Sequence, residues 1–442
     1  MTHVGALLFT AWLACGIAAL ICVRDMFSPD KLMLAALGLF FGDIFISPYP
    51  PMVAAAYLLL LLSFLAAVVA TQPAAGPAAA LRGPSSLTAS PPPSARVRTG
   101  AFWMLSIPAV AAQLALIAHF GGIVGYINAL PMRVITFQGL GGLTTLVQTF
   151  SVINLAYFAY VITLRRGGAT SLAVYASHLL LFLAMALLTG SRGSLLVNIV
   201  LMAMLYHHLV RRVSLGWLAT LAASALLVAS VLEVAREGVS FGEEGLVTGL
   251  SESRDARSSL GFAWTTYGTQ TLELVFRPDD IRLHHGFTYL TALTNVVPRA
   301  WWPDKPDTGG VVLTKELTGD AWGGSSHLST GILPEAVINF GSAAGLCFGL
   351  AQFGLLVGLL QLLYARTRSR FLQPSAETFV GGVRFVYIVW GSMGLIVGEF
   401  TNVVVTIAIQ LLTLWVVSKV VIRGSPPARA RLAARPEQVA AS

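Results

Sequence analysis

A chain of 442 residues with 56% hydrophobic and 11% charged residues has too much apolar surface to fold around one water-soluble core. With a mean hydropathy of +0.75, it reads as an all-α polytopic membrane protein and not as a soluble enzyme. The formal net charge of +8 follows from membrane topology, as shown below, and gives no reason to expect a nucleic-acid partner.

Taken in chain order, apolar stretches near the roughly 20 residues needed to cross a bilayer lie at 4–23, 52–70, 101–120, 143–164, 170–189, 194–210, 215–232, 333–364, 379–398 and 400–422. A shorter one at 32–47 brings the expected number of spans to 11. Hydrocarbon cannot satisfy exposed backbone N–H and C=O groups, so these must be helices. The first lacks a basic leader and reads as a retained helix. Cys15, Cys22 and Cys347 all fall inside spans, with neither a disulfide framework nor metal-ligand spacing.

Basic residues gather on alternate connections: Arg24 and Lys31, Arg82 to Arg98, Arg165 and Arg166, Arg211 and Arg212, Arg366 to Arg370, and Lys419 to Arg435. By the positive-inside rule these mark the cytoplasmic side, with the N-terminus outside and the C-terminus inside. Residues 71–100, rich in Ala, Pro, Gly and Ser, read as a disordered cytoplasmic linker, and 424–442 as a basic cytoplasmic tail. The chain as a whole, 1–442, reads as a single membrane domain with one long external loop, 233–334. Within that loop 258–276 and 286–297 suggest short helices, while 121–142 is amphipathic enough to lie in the interface. Most of the loop's charges are expected to pair with one another on a solvated surface.

Several residues outside this topological pattern could carry chemistry. Arg192 sits in the tight turn Gly190-Ser191-Arg192-Gly193 between two spans, where a planar donor fork suits phosphate oxygens. Arg299 and Lys305 are framed by Pro298, Pro303 and Pro306, which restrict the backbone that presents them. The neighbouring Trp301 and Trp302 can stack on sugar faces or anchor the loop in the interface. Arg133, Arg254 and Arg257 are further outer-side cations, and Arg254, Arg257, Trp301, Trp302 and Asn339 are candidates to line a common cavity. His327 and Glu335 are alternative general bases, Glu335 being equally able to hold an arginine in place. With basic residues expected nearby, Glu335 should be ionised at neutral pH. Glu335 and Asn339 share a face at i,i+4, just before Gly341, Gly345 and Gly349, a small-residue stripe that permits close helix packing. The span 333–364 would be about 48 Å long as one helix, more than the bilayer core requires. Asn154, His178 and Asn198 suit interhelical hydrogen bonding. Asp43, His119 and Glu399 are expected near the outer ends of spans, where they could line the same cavity, and His207 and His208 near the inner side.

Gly121-Gly122 with Arg133, Gly190-Ser-Arg192-Gly193, Pro298-Arg299 with Pro303-Asp-Lys305-Pro306, and Glu335 with Asn339-Phe-Gly341 together resemble the pattern of Wzy-type O-antigen and exopolysaccharide repeat-unit polymerases, within the O-antigen polymerase and ligase superfamily. The resemblance implies a glycosyltransferase-C-like membrane fold in the bacterial inner membrane with its active site facing the periplasm. It implies donor and acceptor oligosaccharides linked to undecaprenyl diphosphate, with a chain-length regulator and a flippase as further partners. Glu335, His327 and Arg192 would be catalytic, and Arg192, Arg299, Lys305 and Arg133 would bind diphosphate. No Asp-x-Asp motif occurs in the external segments, so the expected reaction uses no metal and no cofactor. An O-antigen ligase, with a lipid A-core acceptor, and a lipid-oligosaccharide flippase or other transporter are the competing expectations.

Overall fold

The computed structural model describes residues 2–23, 25–71, 96–130, 136–137, 139–164, 169–189, 192–214, 216–217, 220, 224, 239–242, 245–248, 267–276, 282–295, 297, 301–318, 330–368, 371 and 376–423. In chain order the helices are α1 (His3–Cys22), α2 (Pro29–Phe40), α3 (Pro51–Ala70), α4 (Thr99–His119), α5 (Ile123–Ala129), α6 (Gly141–Leu164), α7 (Ala169–Leu188) and α8 (Arg192–Leu209). They continue as α9 (Tyr267–Val275), α10 (Phe287–Thr294), α11 (Gly309–Thr318), α12 (Ile332–Phe340), α13 (Ser342–Thr367), α14 (Ala376–Val397) and α15 (Phe400–Val421). Two short antiparallel pairs complete the described secondary structure: β1 (Arg96–Val97) with β4 (Ile422–Arg423), and β2 (Val239–Gly242) with β3 (Gly245–Thr248).

Among the described residues eight helices are long and apolar enough to cross a membrane: α1, α3, α4, α6, α7, α13, α14 and α15. A shorter apolar stretch, Leu196–Leu209, lies in α8. The candidate at 32–47 corresponds to α2, whose 12 residues give only about 18 Å, followed by a 3-10 turn at Gly42–Phe45. The stretch 215–232 lies almost wholly outside the described residues. Large apolar side chains such as Leu7, Ile21, Met104, Leu180, Leu355 and Leu412 point outward from the spans, as helices facing lipid require.

The expected continuous helix over 333–364 does not form. Gly341 takes φ +83°, a conformation that favours glycine, and the chain reverses there so that α12 packs back along α13. A Cβ at Gly345 would lie 2.5 Å from the Ala336 carbonyl oxygen, and one at Gly349 would lie 2.8 Å from Leu333 Cδ2. The glycine stripe therefore receives the preceding turn of the same chain. All eight residues from Ile332 to Asn339 are buried, making α12 an internal helix with no lipid face. Gly345→Ala is expected to lower stability by about 1–3 kcal/mol, because backbone and not a flexible side chain blocks the new methyl. Thermal unfolding of the purified protein measures this.

Among the largest fully buried side chains are Tyr57 and Phe64 of α3, Tyr157 of α6, Phe353 of α13, and Phe385 and Tyr387 of α14. As expected for interhelical polar residues, His178 meets Asn154 Oδ1 at 3.2 Å and Ser106 Oγ at 2.9 Å, joining α7 to α6 and α4. Ser151 on α6 donates to Asn198 on α8 at 2.8 Å. Of the stretch read as a linker, residues 96–100 are ordered as β1 and the start of α4, held by β4 at the end of α15. The remainder of that linker and the tail 424–442 lie outside the described residues. In the external loop α10 falls within 286–297 as expected, whereas only Tyr267–Val275 of 258–276 is a described helix.

Candidate functional site

Glu335 lies in the first turn of α12 and is 1% exposed. One carboxylate oxygen accepts from Thr288 Oγ1 of α10 at 3.0 Å, and the other from the Phe400 backbone N–H at the start of α15 at 2.7 Å. Asn339, one turn on, donates to Thr288 Oγ1 and to the Glu335 carbonyl, each at 2.7 Å, and its Oδ1 accepts from Gly286 N–H at 3.0 Å. Thr401 donates to the Thr288 carbonyl at 3.1 Å and meets Thr291 Oγ1 at 2.7 Å. The i,i+4 pair foreseen on one face thus organises a network that binds α10, α12 and α15. Gly309 at the start of α11 is needed beside it, since a Cβ there would lie 2.8 Å from the Glu335 carboxylate. Glu399, adjoining Phe400, accepts a short hydrogen bond from the Gly310 N–H, while its other oxygen has no partner among the described residues.

Burial pushes the Glu335 carboxyl up to about 7, and the nearby Glu399 also raises it, against the lowering by Phe400 and Thr288. The expectation of a fully ionised carboxylate is therefore corrected. Among the described residues no cation contacts it, so its neutral form persists toward neutral pH. Between its ordinary value of 4.5 and about 7 the folded state binds more protons here than the unfolded state. This contribution to stability accordingly falls as pH rises through that window. Wild type is expected to lose roughly 2–4 kcal/mol from this group between pH 4.5 and 8. Glu335→Gln should flatten that part of the pH dependence of the unfolding midpoint.

Lys305 does not present a free ammonium. Its Nζ donates to the Val297 carbonyl at 2.9 Å and, at 3.3 and 3.4 Å, to the side-chain and backbone oxygens of Asn295. It clamps the turn after α10, leaving Trp301 81% exposed and Trp302 41% exposed. The expected charge pairing in the loop is seen at Lys315 with Asp307, 2.7 Å apart. Asp43 accepts from Tyr49 and Thr269 in a separate cluster, apart from the contacts of Glu335. His119 packs against Phe120. Arg133, Arg254, Arg257, Arg299 and His327 lie outside the described residues, as does the side chain of Arg192; the Arg192 backbone opens α8, and α7 ends at Leu188.

A half-open cavity of about 620 Å³ lies between α4, α6, α7, α8, α14 and α15. It is lined from the C-terminal parts of α4, α7 and α14 and the N-terminal parts of α6, α8 and α15, by residues including Gln113, Ser151, Thr189, Asn198, Trp390 and Asn402. Those helix ends meet at the connections carrying the Arg192 turn and Glu399. The cavity, the turn and the Glu335 network consequently share one end of the molecule. None of the described lining residues is charged.

At the other end Asp25, between α1 and α2, accepts from His207 Nε2 at 2.8 Å, from the Phe27 N–H at 3.0 Å, and through a short bond from Tyr364. Tyr364 is 22 residues along α13 from Ser342, about 33 Å away. Asp25, His207 and His208 bring potential metal-ligand atoms within 4.8 Å of one another. His207 Nδ1, however, accepts from the Val213 N–H at 3.0 Å. Its Nε2 therefore carries the hydrogen that Asp25 accepts, which leaves no lone pair there for a metal. Asp25 was not singled out in the sequence, where nothing links it to two histidines 182 and 183 positions away.

No protein-family model, curated protein sequence or solved structure matches the chain.

Proposed function

We propose that this chain is a membrane glycosyltransferase that polymerises lipid-linked oligosaccharide repeat units at the outer face of a bacterial inner membrane. The observation that carries this reading is the coincidence, at one end of a polytopic bundle, of an intramembrane cavity, the Arg192 turn and a buried carboxyl poised near neutrality. In this reading a hydroxyl of the incoming repeat unit attacks the anomeric carbon of the growing chain. The bond from that carbon to diphosphate breaks, undecaprenyl diphosphate leaves, and the hydroxyl proton passes to a base. Arg192, with the free backbone N–H groups opening α8, stabilises charge growing on the leaving oxygen. Arg299 and Arg133 add cations from the same side. Lys305 contributes by fixing the segment that presents Arg299. Glu335 is the leading base, since a general base works best with its pKa near the working pH. His327 is the alternative.

The full topology has 11 spans in a glycosyltransferase-C-like arrangement, counting α2, α8 and 215–232 with the eight long helices. Its orientation follows from the cationic connections. Asp25, His207 and β1–β4 then face the cytoplasm, and Glu335, α10 and α11 face outward. Cysteine labelling tests this after replacement of the three native cysteines. A cysteine at exposed Asp304 should react with an impermeant reagent in spheroplasts, and one at position 88 should not. The reverse pattern would remove the mechanism with the topology.

A further inference from the structure

Gln113 on α4 is 1% exposed, lines the intramembrane cavity, and has no hydrogen-bond partner among the described residues for either its amide oxygen or its amide nitrogen. On α15, which also lines the cavity, the Gln410 amide oxygen is likewise buried and without a partner among the described residues. An amide left unpaired in this way costs free energy that a leucine of similar size would not, so these groups point to something that hydrogen-bonds them. The described lining offers amides and hydroxyls without charge, together with the rings of Tyr126, Phe137, Tyr387 and Trp390. Its volume of about 620 Å³ is in the range of ligand sites. The described lining offers a diphosphate no cation, and an isoprenoid chain would leave the amides unsatisfied. A ligand with hydroxyl groups on its edges and C–H groups on its faces fulfils both requirements, since it can pair with amides and stack on aromatic rings.

We infer that this cavity is a binding site for an uncharged saccharide, with Gln113 and Gln410 reading its hydroxyl groups. Building on the polymerase reading, it holds sugar residues of the lipid-linked substrate beneath the Arg192 turn, while the diphosphate stays at the rim.

The test uses full-length protein in phosphatidylethanolamine–phosphatidylglycerol nanodiscs, free of glycoside detergent. The probe is the oligosaccharide released by mild acid from the lipid-linked pool of the cells that make the protein. Saturation-transfer NMR should show transfer to sugar protons above that of empty nanodiscs. Gln113→Leu should weaken binding roughly tenfold, the loss of about two neutral hydrogen bonds, with an unchanged or higher unfolding temperature. Gln410→Leu should weaken it less. Absence of transfer, or equal binding by wild type and Gln113→Leu, overturns the inference. Transfer confined to isoprenyl protons of the intact lipid-linked compound, insensitive to Gln113→Leu, overturns it in favour of a lipid tail. Saccharide binding without any chain extension would uphold the site and defeat the polymerase reading. Extension unaffected by Gln113→Leu would do the opposite.

Discussion

Arg192→Ala is expected to lower polymer formation by roughly 30- to 1000-fold, corresponding to about 2–4 kcal/mol of lost transition-state stabilisation. Arg192 begins α8, an 18-residue helix whose first backbone N–H groups have no intrahelical partners and favour an anion. Removing the guanidinium leaves those amides and the cavity below, so donor binding should fall less than turnover. Arg192→Lys should restore only part of the rate, because an ammonium cannot make the planar two-point contact. Polymer length and turnover in membranes with matched expression provide the readout. A wild-type rate in Arg192→Ala would eliminate the residue from the chemistry.

The second large effect concerns stability. Asp25→Ala should lower unfolding free energy by about 3–5 kcal/mol, since it strands the His207 Nε2–H, the Tyr364 hydroxyl and the Phe27 N–H in a buried site. These partners tie the α1–α2 connection to α8 and α13. Asp25→Asn should cost less, as an amide oxygen in place of Oδ1 can still accept from both His207 Nε2–H and the Phe27 N–H. Because the cluster is at the opposite end of α13 from Glu335, turnover per folded molecule should stay near wild type. The unfolding midpoint in a neutral detergent measures the first effect, and an unshifted Asp25→Ala midpoint would show that the cluster contributes little.

Sequence alone revealed the membrane class because long apolar runs have only one stable backbone form in lipid. It also marked Asn154, His178 and Asn198 as interhelical hydrogen-bonding residues, and Glu335 and Asn339 as sharing one face, because isolated polar groups in apolar helices must find partners. The break at Gly341 was hidden by the very regularity of the pattern: Gly341, Gly345 and Gly349 repeat as a packing stripe, and only the positive φ distinguishes the hinge from the two contact positions. The partners of Glu335 were equally hidden. Thr288 is an ordinary threonine in sequence, and the Phe400 and Gly310 N–H groups have no side-chain signature. Lys305 was legible as a cation held by prolines, but its engagement with carbonyl oxygens depends on the turn after α10. Gln113 and Gln410 carried a readable signal, uncharged amides in otherwise apolar spans, although their shared cavity emerges only from the packing of six helices.

The most direct measurement is extension of a purified lipid-diphosphate-linked repeat unit by the protein in proteoliposomes, with products resolved by chain length and released undecaprenyl diphosphate quantified. The polymerase account predicts a ladder of lipid-linked products, one undecaprenyl diphosphate released per added repeat, and loss of both with Arg192→Ala. A single product formed only when a lipid A-core acceptor is supplied, or transbilayer movement of the substrate with no new glycosidic bond, would contradict it.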